Sequence, residues 1–151
     1  MTIAINQTCP VKYIQALHRN TDGYVTLFKK LANNKVMQLH YKLEQINDDT
    51  IRQFVDFDSY VSLNSFYRMK RGNAHLRTLH NLYVDIDCYN VGLSVEQVMY
   101  QLEQDYFNQS IPLPNLVVYS GRGIQLVWHI EAISGLAIER WGIVQRAICK
   151  Q

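Results

Sequence analysis

Residues 82–89 read LYVDIDCY, an apolar, β-favouring run that carries Asp85 and Asp87 two positions apart. Strand side chains alternate between faces, so Tyr83, Asp85 and Asp87 share one side and Leu82, Val84 and Ile86 the other. The apolar side suits a core. The acidic side sets two carboxylates about 7 Å apart at their Cα atoms, judged from the strand rise. Such charges repel and lose hydration unless a cation lies between them, and a hard divalent ion, Mg²⁺ or Mn²⁺, takes oxygen ligands. Aspartate is also among the residues least suited to strand interiors. Two readings stand at this point: a metal-holding pair, or a wet strand face with two solvated acids.

Upstream of this strand lies RMKRGNAHLRTLH, residues 68–80, which carries Arg68, Lys70, Arg71 and Arg77 and no acid. Phe66, Tyr67 and Tyr83 flank it. A one-signed block of this kind attracts phosphates of a nucleic-acid strand or a nucleotide; the plainer reading is a solvated basic loop. Downstream, VVYSGRGIQLVWHI sets Ser120-Gly121-Arg122-Gly123 between two strands. Glycines flanking an arginine let the backbone approach a ligand and turn its amides outward, and a guanidinium suits phosphate oxygens. In the second strand Gln125, Val127 and His129 share a face opposite Ile124, Leu126, Trp128 and Ile130. A Gly-Arg-Gly turn beside Gln125 and His129 reads as a phosphate-binding rim or as an ordinary hairpin.

The remaining elements follow from periodicity. VKYIQALHRN predicts a short amphipathic helix, and GYVTLFKKL and VMQLHYKLEQI predict strands joined around Ala32-Asn33-Asn34. Asp48 or Asp49 is expected to cap a short helix through IRQFVDF, and YVSLNSFY to form one strand. Ser94 and Gln97 form a capping box for a helix over 95–107, with Pro112 and Pro114 after it. NLVVYS and GIQLVWHI read as strands, and Ser134 caps a last helix with Ile138, Trp141, Val144 and Ile148 on one face. Strands and helices mix with hairpins, which defines an α+β class.

The 151 residues fit a single domain spanning 1–151, with 48% hydrophobic and 19% charged residues, the composition of a folded globular chain. A formal net charge of +2 is too small to announce a nucleic-acid binder by itself, so any electrostatic case rests on local clusters. Cys9, Cys88 and Cys149 are scattered, which argues for reduced thiols and against a zinc ribbon. The N-terminus lacks a basic region followed by a long apolar core, and no run approaches a membrane span, so a soluble, cytoplasmic protein is expected. The chain stops inside its last helix pattern, without a glycine stop or polar tail. An N-terminal portion of a longer domain is therefore expected.

Taken in order, the LYVDID strand and the later SGRGIQLVW strand-turn-strand resemble the archaeo-eukaryotic primase superfamily. The likeness is greatest to the primase-polymerase domains of replication proteins on plasmids and other mobile elements. YVSLNSFY, the basic loop and LRTLHNLYVDID also resemble the region upstream of the acids in that family. The resemblance implies an RRM-like antiparallel sheet core with flanking helices. It also implies template-directed nucleotidyl transfer, for primer synthesis or extension, on single-stranded DNA with nucleoside triphosphates. Asp85 and Asp87 would then hold catalytic Mg²⁺ or Mn²⁺. Ser120, Arg122 and Gln125, with His129, would hold the triphosphate, and Arg68, Lys70, Arg71 and Arg77 would track phosphates. A helicase domain or protein is the implied partner. Gln125 stands where many members have histidine, and the family's third acid has no counterpart before Gln151. Two other functions stay open: a non-catalytic nucleic-acid-binding or degenerate replication-initiator domain, and a metal-dependent nuclease.

Overall fold

The structure is a computed structural model and describes residues 3–4, 9–19, 21–32, 34–107, 109–120 and 123–150. Along the chain these form β1 (Ile3–Ala4), α1 (Pro10–Leu17), β2 (Tyr24–Lys30), β3 (Val36–Lys42), α2 (Asp48–Arg52), β4 (Ser59–Val61), β5 (Ser65–Phe66) and β6 (Leu76–Ile86). They continue with α3 (Val95–Gln101), β7 (Leu116–Tyr119), β8 (Ile124–Ser134) and α4 (Ile138–Ile148). This is the α+β class that the sequence predicts, and every strand pair but one whose direction is defined runs antiparallel. Among the described residues no helix is long and apolar enough to cross a membrane.

Contacts gather into two units. The first runs from α1 to His80 and takes in Glu131–Glu139; the second comprises β1, Asn81–Ile130 and α4 from Arg140. In the first unit β2 pairs with β3 from Tyr24↔Lys42 to Lys30↔Val36. Asn34 turns the hairpin with φ 59°, a left-handed conformation that asparagine tolerates better than most residues; Asn33 of the expected turn lies outside the described residues. Val25 and Leu27 on one face of β2 meet Ile14 of α1, Ile51 of α2 and Phe54 just after it in one apolar cluster. Tyr24, Thr26, Phe28 and Lys30 take the opposite face. The cap of α2 is Asn47, whose Oδ1 accepts from Thr50 N at 3.0 Å. Asp48 and Asp49, expected as caps, instead fill the first turn, where negative charge suits the helix dipole.

YVSLNSFY does not form one strand. Ser62 breaks it by pairing through its backbone N–H with Thr26 O at 2.9 Å and through its hydroxyl with Thr26 N at 3.0 Å. β4 and β5 then each pair with β2. β6 begins at Leu76, five residues before the expected strand, because Ser65↔Thr78 and Phe66↔Leu76 pairing draws the end of the basic stretch into the sheet. A buried polar chain crosses this unit. Thr21 donates to Ser65 Oγ (2.9 Å), Ser65 meets Thr78 (2.6 Å), Thr78 meets His80 (3.3 Å), and His80 meets His18 (3.2 Å). His18 Nε2 in turn donates to Ser62 O at 2.6 Å.

In the second unit β7 pairs antiparallel with β8 from Leu116↔Val127 to Tyr119↔Ile124, and parallel with β1. β8 lies next to β6. Leu82, Ile124, Leu126 and Trp128 form a core with Val98 of α3. The expected capping box holds: Ser94 Oγ accepts from Gln97 N at 3.2 Å and Gln97 Oε1 from Ser94 N at 2.8 Å. The predicted helix over 95–107 is α-helical only to Gln101; Leu102–Tyr106 widens into a π turn closed by Phe107 N to Leu102 O at 2.8 Å. In α4, Trp141 and Ile148 pack inward as expected, but Val144 is 50% exposed. Gln145 takes the inward place instead, because its amide bonds the backbone of β6.

Candidate functional site

The acid pair sits where β6 ends. Asp85 is the penultimate residue of the strand and exposed; Asp87 follows the last strand residue, Ile86, so it stands at a turn and not inside a strand as expected. Cys88, buried at 2% exposure, anchors that turn. Asp87 Oδ1 accepts from Asn90 N at 3.2 Å and Oδ2 from Asn90 Nδ2 at 2.8 Å, so the carboxylate holds the following turn. The Asp85 carboxylate has no hydrogen bond or ion pair among the described residues.

The glycine-rich turn closes on itself and on this strand end. Ser120 N donates to Gly123 O at 3.0 Å, and Gly123 N donates back to Ser120 Oγ at 3.1 Å. A β-carbon at Gly123 would lie 2.1 Å from Ile86 O and 3.2 Å from Asp87 Cα, so only glycine lets the two backbones meet here. Gly121 and Arg122, the expected phosphate ligand, lie outside the described residues.

The rest of the rim follows from register. Gly123 abuts Ile86 and Asp87, and His129 Nδ1 lies 2.7 Å from Asn81 Oδ1, so β8 ascends as β6 descends. Counting inward from both ends brings Gln125 level with Asp85 on one face. That face is closed in its middle by Val127, 0% exposed, and opens toward Asp85. His129 sits beyond the closure, four residues and about 13 Å from Gln125 along the strand. An amide oxygen only accepts, so the His129 ring donates from Nδ1 to Asn81. Its backbone N–H is held by Asn115 Oδ1 at 2.7 Å. The fold therefore gathers Asp85, Asp87, Ser120 and Gln125 at one end and ties His129 to the other.

No group of three or more His, Cys, Asp or Glu side chains forms a metal cage among the described residues. Mg²⁺ is, however, commonly held by one or two carboxylates, with water and substrate phosphates completing the shell. Asp85 offers oxygens without a hydrogen-bond or ion-pair partner among the described residues, and Asp87 meets there the backbone N–H and the side-chain amide of Asn90, both neutral donors. The donor set fits such an ion.

The basic residues belong to the first unit and divide among several contacts. Arg77 forms a two-pronged ion pair with Asp22 and lies over Tyr67, 5.1 Å from the ring centroid. The Arg77 guanidinium holds the Asp22 carboxyl below its ordinary range. Arg71 lies over Phe28 at 4.9 Å. Arg68 and Lys70 are exposed in the loop before Asn73–His75, with Lys70 N donating to Arg68 O at 2.7 Å. Two residues escaped the sequence reading. Asn90 was signalled by its place three residues after Asp87, within reach of that carboxylate across a turn, whereas nothing local marked Asn81 as a buried partner for His129.

An acid pair at a strand end, with Gly123 packed against it on an α+β scaffold, is thus the candidate site of the second unit. Over 140 residues the chain is 36% identical to a replication protein of Clostridium perfringens. The match takes in 92% of this chain and 33% of that protein, so the chain spans about a third of the relative's length. No family model and no solved structure matches the chain.

Proposed function

We propose that the chain is part of a replication protein and that its second unit binds a nucleoside triphosphate with a divalent cation for template-directed nucleotidyl transfer. The close approach of Gly123 to Ile86 O and Asp87 Cα supports this reading best, because it brings one end of the hairpin against the strand end that bears the acids. The 36% identity to a replication protein supports the process, and the LYVDID and SGRG motifs support the chemistry. Asp85 and Asp87 would hold Mg²⁺ or Mn²⁺, which supplies charge neutralisation at the transferred phosphate and leaving pyrophosphate. Ser120, Arg122 and Gln125 would orient the triphosphate, with turn amides donating to its oxygens. His129, tied to Asn81, would position β8 and not touch the nucleotide. Asn90 would release Asp87 as the cation binds.

The test is titration of Mn²⁺ and a nucleoside triphosphate into the chain and its Asp85→Asn variant, followed by nucleotide incorporation on a primed single-stranded template. Metal-dependent triphosphate binding that is lost in Asp85→Asn is expected. Equal binding by both overturns the reading, and strand cleavage in place of primer extension transfers the site to a nuclease.

A further inference from the structure

We infer that the sheet face of the first unit opposite α1 and α2 is a stacking platform for single-stranded nucleic acid. Tyr24, Phe28 and Lys30 of β2 lie on the face opposite the α1 and α2 core, and the register β2 makes with its neighbours adds Lys42, His40 and Gln38 from β3 and Tyr60 from β4. None of these strand residues is acidic. Phe28 and Tyr60 stack at 4.7 Å between centroids with planes 10° apart.

Each ring carries a cation. Arg71 lies over Phe28 at 4.9 Å, Lys30 over Tyr60 at 5.2 Å, and Lys42 over Tyr24 at 4.5 Å. Arg77 over Tyr67 extends the series, with Asp22 as its ion-pair partner. Tyr60 is 43% and Tyr67 52% exposed, far more than a ring kept for core packing.

Rings presented with interleaved cations match one ligand chemistry, flat bases joined by phosphates. Every unpaired base offers a π face, while Lys and Arg beside the rings meet the backbone charge. A duplex keeps its bases stacked on each other and cannot use the rings. The inference rests on the first unit alone and does not require the acid pair of the second.

The experiment measures fluorescence anisotropy of labelled oligo(dT), oligo(U) and a duplex of equal length against the chain at two salt concentrations. Binding of either single strand in preference to the duplex is expected. The Phe28→Leu/Tyr60→Leu double variant keeps apolar bulk under the face, and its melting curve checks the fold. It should bind roughly 5- to 150-fold more weakly, the loss that follows from removing base–aromatic stacking. Lys42→Gln should lower the salt slope by about 0.7, as expected for one phosphate contact on a single strand. Unchanged affinity in a folded double variant, duplex binding as tight as single-strand binding, or no binding at low salt each overturns the inference. Asp85→Asn should leave oligomer affinity intact, so failure of the triphosphate site and failure of the platform are read separately.

Discussion

Gln145 stands in for a neighbouring strand along the edge of β6: its Nε2 donates to Tyr83 O at 2.5 Å and its Oε1 accepts from Tyr83 N at 3.1 Å. Trp141, one helical turn earlier, donates from Nε1 to Asn81 O at 3.0 Å. Four helix residues rise about 6 Å and two strand residues about 6.6 Å, so α4 can serve successive outward-facing carbonyls. Gln145→Ala leaves both Tyr83 groups without this partner and should lower unfolding free energy by about 1–3 kcal/mol in urea denaturation. Gln145→Glu should not rescue it, because a carboxylate cannot donate to Tyr83 O.

Two glycines give opposite expectations. Gly123→Ala forces a β-carbon against Ile86 O and should displace the turn, lowering stability and metal-dependent triphosphate binding together. Gly142 lies in α4, and a β-carbon there meets only the flexible Arg146 guanidinium at 3.3 Å. Gly142→Ala should therefore gain up to about 1 kcal/mol from helix propensity, read as a raised melting temperature.

The two acids should separate by their stability effects. Asp87→Ala removes the acceptor for Asn90 N and Nδ2 and should cost about 0.5–1.5 kcal/mol in thermal unfolding. Asp85→Ala breaks no hydrogen bond among the described residues and should melt like the parent. Both variants should lose Mn²⁺-dependent triphosphate binding. Retention of that binding in either would remove the residue from the site.

His40 supplies a pH dependence. Burial, and then the nearby Arg71 charge, hold its imidazole pKa below the ordinary value. The folded state thus favours the neutral ring, whose Nδ1 lies 2.9 Å from Thr26 Oγ1. A depressed folded pKa contributes stability that is present above the unfolded value near 6.5 and is lost as pH falls through the folded one. Stability measured from pH 7.5 to 5 should decline, and His40→Gln should flatten that decline. An identical profile in the variant assigns the decline to other groups.

What could be read from the sequence was what is locally determined. The capping box at Ser94 and Gln97 needs only four consecutive residues, and the β2–β3 hairpin follows from alternation on both sides of a short turn. Asp85 and the Ser120–Gly123 turn were likewise legible, as an acid misplaced in an apolar strand and as paired glycines. Features that depend on distant partners were not legible. Ser62 splits YVSLNSFY by bonding Thr26, β5 extends β6 back to Leu76, and Tyr83 draws a polar Gln145 inward where Val144 was expected. The strand end at Ile86 falls in the same group, since buried Cys88 and the Asp87–Asn90 bond decide it.

The chain of hydroxyls and imidazoles from Thr21 through Ser65, Thr78 and His80 to His18 joins positions as many as 62 residues apart. Sliding β5 on β6 by a single position would turn Thr78 to the opposite side and strand several buried polar atoms without partners. As folded, no buried side-chain nitrogen or oxygen among the described residues lacks one. The network therefore works as a proofreader of strand alignment: a misaligned intermediate carries a desolvation penalty that only the native pairing relieves.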